Sequence, residues 1–221
     1  MLAGALAHEI KNPLSTIALN LALLREQWEG QPDGRAERTV RKLDVLTREV
    51  DRLQDILDDF LRYAREPVLE RVDVDVARLV RDLAEFSEPE MRREETDLRL
   101  DLPAKGLGII SADIGLLRQA LLNVLVNARQ ACNDGGEVMV AGRIVDGSVI
   151  LEVTDTGNGM DEETARRCFD PYYSTKGGSG TGLGLSMTRK IVEDHGGSVA
   201  VHSETNVGTR FTLSLPGDTD S

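Results

Sequence analysis

The amino-acid sequence predicts an α + α/β chain: a dimerising helical hairpin, which becomes a four-helix bundle in the dimer, followed by a mixed-sheet α/β domain. Two observations carry this. Near the N-terminus, apolar residues recur at alternating spacings of three and four, the heptad pattern of helices packed nearly parallel. Beyond Glu66-Pro67, helical and strand-like stretches alternate instead, as they do where a sheet is layered against helices.

The first helix is read from Ile10, Leu14, Ile17, Leu21, Leu24 and Trp28, and the second from Leu43, Leu46, Val50, Leu53, Leu57, Phe60 and Ala64. Between them residues 29–34, rich in Gly and Pro, read as a turn. Two helices enclose too little interior to be stable alone. Pairing two hairpins in a homodimer covers the remaining apolar surface; packing on the chain's own C-terminal domain is the alternative. The spacing then predicts helices over 74–86, 113–132 and 182–195. Strands are predicted over 97–102, 137–144, 148–155, 198–202 and 209–215, with a tight turn at Asp146-Gly147. The tight strand-to-strand turns make the sheet mixed, with helices on one face. We therefore expect a hairpin domain over 1–66, a second domain over 67–216 and a tail over 217–221.

Across 221 residues, 40% hydrophobic and 29% charged side chains are ordinary for a globular protein. The net charge of −12 argues against a nucleic-acid partner, which needs a surplus of Lys and Arg. It argues equally against contact with an anionic membrane. Any site for an anionic ligand must therefore bring its own donors. Cys132 and Cys168 cannot make a disulfide framework and have no CxxC spacing, and no zinc site is readable. With no secretory leader, the expectation is a cytoplasmic setting. The uncharged run nearest the start is too short and too polar to span a bilayer. The chain begins inside a helical pattern, as expected of the soluble portion of a longer protein, and no sensor, membrane anchor or receiver segment is read in it.

No GxxxxGK[ST] loop, protein-kinase catalytic loop or GxSxG elbow occurs, so those schemes are excluded. Four other segments carry chemistry. In the helix from Asp113, Asn123 and Asn127 stand four apart on one side of an otherwise apolar helix. Their amide oxygens suit Mg²⁺; buried amides that satisfy neighbouring backbone are the plainer reading. Next, Asp155 ends a strand and runs into Thr156-Gly157-Asn158-Gly159. A carboxylate there can accept a hydrogen bond from an exocyclic amine such as adenine's, and glycines let backbone approach a ring. A plain Asp/Gly turn is the alternative.

The third segment joins Cys168-Phe169-Asp170-Pro171-Tyr172-Tyr173-Ser174-Thr175-Lys176 to a glycine-rich loop through Gly180, Gly182, Leu183 and Gly184 that leads into a helix. Backbone N–H groups at a helix start attract anions, and Lys176 adds a charge. A flexible linker is the alternative. The fourth is Ala7-His8-Glu9-Ile10-Lys11-Asn12-Pro13. Extending the heptad backwards places His8 just off the seam, toward solvent, where a neutral imidazole keeps a nitrogen lone pair for attack on phosphorus. Asn12 shares its side of the helix, and Glu9 points about 100° away. Pro13 removes the N–H that would bond the Glu9 carbonyl, loosening the helix near His8. A surface histidine without function is the plainer reading, and His195 and His202 keep it, as a helix-end cation and a strand surface residue.

In this order, the segments resemble the catalytic core of two-component sensor histidine kinases. His8 to Pro13 is similar to the phosphoacceptor box, and Asn123 to Ala128 to the asparagine box. Asp155 to Gly159 resembles the first glycine box. Phe169 to Lys176 and Gly180 to Leu185 resemble the phenylalanine and second glycine boxes. The style of the boxes is similar to that of nitrogen-regulation-type kinases. The resemblance implies a homodimeric hairpin domain followed by an α/β sandwich of the ATPase group that includes gyrase and MutL. It implies ATP and Mg²⁺ as cofactors, His8 as phosphoacceptor, Glu9 as proton acceptor, Asn127 on the metal and Asp155 on adenine. Thr209 matches the threonine that helps hold Asp155 and adenine. Asn12 matches the position linked to phosphatase activity toward the partner, the receiver domain of a response regulator. Tyr172 and Tyr173 stand where phenylalanines are usual. Gln130 stands where many relatives carry a phosphate-facing Lys, which leaves that charge to Arg129 or Lys176. Two other functions share this ATP-binding scheme: an ATP-gated interaction module, against which His8, Glu9 and Asn12 speak, and an ATPase driving conformational change, against which the lack of a transducer domain speaks.

Overall fold

The computed structural model describes residues 2–28, 34–64, 68–132, 135–175 and 182–217, and within the first two helices only part of the side chains. The chain divides into two compact units, Met1–Pro67 and Val68–Ser221.

The first unit is a pair of helices, α1 (Leu2–Trp28) and α2 (Gly34–Ala64). Most of the expected turn, residues 29–33, lies outside the described residues. The heptad pattern splits into two sets. Leu21, Leu43 and Val50 are buried between the helices with Leu14 and Ala18 packed on them. Arg25 reaches Asp44 at 3.5 Å across the same seam. The alternate members Ile17, Leu24, Leu46 and Leu53 remain 44–51% exposed. Among the described residues, one hairpin thus leaves part of its apolar pattern exposed.

The second unit contains β1 (Val72–Asp75), α3 (Val76–Arg93), β2 (Thr96–Asp101), β3 (Ile109–Ala112), α4 (Ile114–Ala131), β4 (Gly136–Val145), β5 (Ser148–Asp155), α5 (Glu162–Arg167), α6 (Gly184–Asp194), β6 (Ser198–Glu204) and β7 (Gly208–Pro216). Five strands form a mixed sheet in the order β2-β4-β5-β7-β6, with β2 parallel to β4 and the other neighbours antiparallel. Along β5, Val149, Leu151, Val153 and Asp155 point to the buried face. Paired residues of β4 and β7, among them Val138, Val140, Phe211, Leu213 and Leu215, complete that layer. Helices α3, α4 and α6 supply the facing layer through Leu79, Val80, Leu83, Leu117, Val124, Ile191 and Val192. The opposite face of the sheet carries polar and apolar residues. There Arg143 grips Glu152 at 2.5 and 3.0 Å, and that hydrogen bond holds the Glu152 carboxyl below its usual range.

Several boundaries differ from the sequence expectation, each for a local reason. The helix expected over 74–86 begins at Val76, because the Asp75 side chain accepts Arg78 N–H at 3.0 Å as its N-cap. It continues through Pro89 to Arg93, drawn by burial of Met91 on the face already holding Leu83. Val74 belongs to β1, which pairs with β3 in a separate antiparallel ladder. Helix α5 is an addition, capped by Asp161, whose carboxyl accepts Thr164 N–H and is held below its usual range by that bond. His195 is not a helix-end cation. It is buried, its Nε2 accepts Asp113 N–H at 2.9 Å, and its Nδ1 lies 2.7 Å from the Ile191 carbonyl. Those contacts require a neutral ring with the proton on Nδ1.

Candidate functional site

Strand β5 ends in a buried carboxylate. Asp155 is 3% exposed, and its Oδ1 accepts Gly157 N–H at 2.9 Å and Thr209 N–H at 3.2 Å. Register makes Thr209 its direct partner on β7. Burying a carboxylate costs several kcal/mol unless donors meet it; these two amides do so. The loop that follows is tied down on three sides. Thr156 exchanges backbone and hydroxyl bonds with Glu137, Asn158 N–H bonds the Ala131 carbonyl at the end of α4, and Asn206 N–H bonds the Asn158 carbonyl. Gly159 has φ of 62°, and a Cβ there would overlap the Glu204 carbonyl, so no other residue fits. Beneath the loop, burial and the nearby Asp155 charge push the Cys132 thiol up, keeping it protonated.

The two asparagines lie on α4, half-buried rather than deep in the core. Asn123 Nδ2 donates to the Gly184 carbonyl at 3.0 Å, and Asn127 Nδ2 donates to the Asn123 carbonyl at 2.8 Å. The first bond joins α4 to the start of α6. Thr188 adds a second tie, its hydroxyl lying within reach of both the Ala120 and Gly184 carbonyls at 3.2 and 3.0 Å. Helix α6 starts at Gly184, later than expected, because Gly182 has φ of 68° and lies outside helical space. Its N-cap residue, buried Leu183, makes no side-chain capping bond. Helices α3, α4 and α5, by contrast, are each capped by an aspartate side chain.

Before α6 the chain passes a short aromatic segment. Phe169 is buried edge-on to Phe211, with ring centroids 6.0 Å apart, and the Arg189 guanidinium stacks 4.2 Å from its centroid. Burial pushes the adjacent Cys168 thiol up to about 11. Tyr172 N–H bonds the Gly182 carbonyl at 2.9 Å, and Tyr173 bonds Thr164 through its hydroxyl at 3.2 Å under the Arg167 guanidinium. Thr175 is exposed. Lys176 and Gly180 lie outside the described residues.

Arg129 is placed differently from the expectation. About 200° around the helix from Asn127, its guanidinium pairs with Glu94 and lies 3.8 Å from Glu90 on α3. It does not join the Asn123–Asn127 side. His8, Glu9 and Asn12 lie on α1; their side chains are outside the described residues. Ser203, unmarked in the sequence, bonds Met160, Gly208 and Thr209 and is the β6 partner of Thr209, which in turn pairs with Asp155. Nothing in its sequence neighbourhood distinguishes it from an ordinary strand serine.

Residues 112–219 match the family model "Histidine kinase-, DNA gyrase B-, and HSP90-like ATPase", and residues 1–67 match "His Kinase A (phospho-acceptor) domain". The catalytic domain of histidine kinase ThkA is 30% identical and superposes with a TM-score of 0.61, covering 66% of this chain and 95% of that one. The chain belongs to the histidine kinase family. Sporulation kinase E of Bacillus subtilis is 32% identical over 216 residues, 97% of this histidine kinase core but 28% of that protein. Full-length ShkA, solved with AMPPNP, is 27% identical with a TM-score of 0.79, covering 97% of this core and 45% of that chain. ThkA in complex with the response regulator TrrA is 25% identical with a TM-score of 0.70, covering 97% and 60%. The core thus spans less than half the length of sporulation kinase E and of ShkA. No described helix is long and apolar enough to cross a membrane.

Proposed function

We propose that this chain is an ATP-dependent, autophosphorylating protein histidine kinase core that phosphorylates its own His8 and relays the group to an aspartate of a response regulator. The observation that carries this is Asp155, a buried carboxylate at a strand tip already held by two backbone amides. A carboxylate so fixed is an acceptor suited to the amine of adenine. In this reading Gly157 and Gly159 let the ring lie against backbone, and Thr209 supports Asp155 from the neighbouring strand. The phosphates reach toward the start of α6, whose N-terminal end favours anions. Thr175, Lys176, Gly180 and Gly182 are assigned to nucleotide binding.

Asn127 fits a Mg²⁺ ligand. Its Nδ2 is committed to the Asn123 carbonyl, which assigns Oδ1 as the acceptor end of the amide, a hard oxygen of the kind Mg²⁺ takes. Asn123 sets its position and joins it to α6. When bound, the metal neutralises phosphate charge and aligns the β- and γ-phosphates. Because Arg129 is paired with Glu94 and Glu90, we assign the remaining positive charge to Lys176.

For transfer, a nitrogen lone pair of His8 forms the new P–N bond as the bond from the γ-phosphorus to the β,γ-bridging oxygen breaks, releasing ADP. Glu9 accepts the imidazole proton. An aspartate of the receiver domain then takes the phosphoryl group, and Asn12 orients water for dephosphorylation of that aspartate. The hairpin acts as a homodimer: Ile17, Leu24, Leu46 and Leu53 of the heptad seams stay exposed in one chain and are covered when two hairpins close a four-helix bundle. The domains of this reading are 1–66 for dimerisation and phosphoacceptance and 67–216 for ATP binding, in a cytoplasmic setting. Incubation with γ-labelled ATP and mapping of the label tests it: label on His8 supports the reading, and label elsewhere or none overturns it.

A further inference from the structure

On β6, across Thr209 from Asp155, the Ser203 hydroxyl sits at a three-way junction. Its Oγ takes Met160 N–H at 2.8 Å, lies 3.1 Å from the Gly208 carbonyl oxygen and 2.8 Å from the Thr209 hydroxyl. Two of these contacts have fixed polarity, since an amide can only donate and a carbonyl can only accept. A hydroxyl carries a single proton. Ser203 must therefore give its proton to Gly208, and at the third contact Thr209 must donate to Ser203. With its own proton committed, Thr209 Oγ1 keeps only lone pairs. Thr209 is the β7 partner of Asp155, is 5% exposed, and shares its face of the sheet.

We propose that Ser203 is a positioning residue that sets base specificity: through this relay it holds Thr209 as a hydrogen-bond acceptor, so that the site shows a purine two acceptors, Asp155 and Thr209. The inference rests on the reading that Asp155 meets the base. An exocyclic amine at the purine 6-position offers two donors and satisfies such an edge. A 6-oxo group is itself an acceptor and meets only like partners, leaving buried polar atoms unpaired. The site thereby selects adenine over guanine nucleotides. Removing Ser203 frees the Thr209 hydroxyl to turn and donate, and the selection relaxes.

Calorimetric titration with ADP and GDP, on wild type and on Ser203→Ala, Ser203→Thr and Thr209→Val, tests this. Ser203→Ala should narrow the GDP-to-ADP ratio of Kd values by about three- to tenfold, the span of one neutral hydrogen bond. Ser203→Thr, which keeps the hydroxyl, should retain the wild-type ratio. Adding Ser203→Ala to Thr209→Val should change the ratio no further. If Ser203→Ala weakens both nucleotides equally, the serine is only a structural tie and the inference is overturned. Should that variant not fold, Thr209→Val decides alone: it removes the acceptor itself, so an unchanged ratio also overturns the inference. A different failure, wild type binding neither nucleotide or Asp155→Asn leaving ADP affinity unaltered, overturns the nucleotide reading and the inference with it.

Discussion

Asp155→Asn separates binding from folding at one atom. In the structure, Oδ1 holds Gly157 N–H at 2.9 Å and Thr209 N–H at 3.2 Å. An asparagine can keep both bonds through its amide oxygen, so its NH₂ takes the place of the second carboxylate oxygen. Toward an adenine amine, donor then meets donor. Losing a hydrogen bond to a charged acceptor costs about 1.5–3 kcal/mol, and leaving a buried donor unpaired adds about 1–3 kcal/mol. The sum, roughly 2.5–6 kcal/mol, weakens nucleotide binding by about two to four orders of magnitude. Because the two amide bonds survive, the melting temperature should stay within a few degrees of wild type. Calorimetry with Mg-ADP reads the first effect and circular dichroism melting the second. A loss of affinity below about threefold, less than one hydrogen bond supplies, would refute the placement of the base on Asp155.

Three further outcomes follow from other parts of the molecule. Leu53→Glu, on the exposed part of the heptad seam, should convert dimer to monomer, because a buried unpaired charge is not tolerated there; light scattering that finds wild type already monomeric would remove the bundle. Asn12→Ala should slow dephosphorylation of a phosphorylated response regulator more than it slows autophosphorylation, and equal losses in both assays would deny it a separate role. Glu152→Gln removes a carboxylate whose hydrogen bond from Arg143 lowers its pKa in the folded state. The stability this pair supplies is therefore present above the ordinary carboxylate range and lost as pH falls through the lowered value. The melting-temperature gap between wild type and variant should close on acidification, and a gap that stays constant with pH would deny the pair its contribution.

Long periodic segments were legible from the sequence because burial repeats along them. The heptads of α1 and α2 and the apolar side of α4 are of this kind, and the side shared by Asn123 and Asn127 follows from helix geometry alone. The strand end at Asp155 was legible for the same reason, since β5 alternates up to its last residue. Strands β1 and β3 span four residues each, too few for alternation to stand out, and their pairing joins segments far apart in the chain. The expected end of α3 at residue 86 fell short, because tertiary burial of Met91 carries the helix on through Pro89 despite the lost hydrogen bond. A signal for α5 was present in Asp161, with Glu162 and Glu163 at its start and Arg166 and Arg167 at its end. His195, Arg129 and Ser203 were beyond sequence reasoning: what each does depends on partners brought together only by the fold.

The central claim, phosphoryl transfer from ATP to His8, is tested most directly by the chemistry of the bond formed. Wild type incubated with Mg²⁺ and γ-labelled ATP should acquire label that is lost in acid and kept in alkali, as a phosphoramidate is. His8→Ala should acquire none, while binding Mg-ADP as wild type does. Acid-labile label on His8→Ala would contradict the claim.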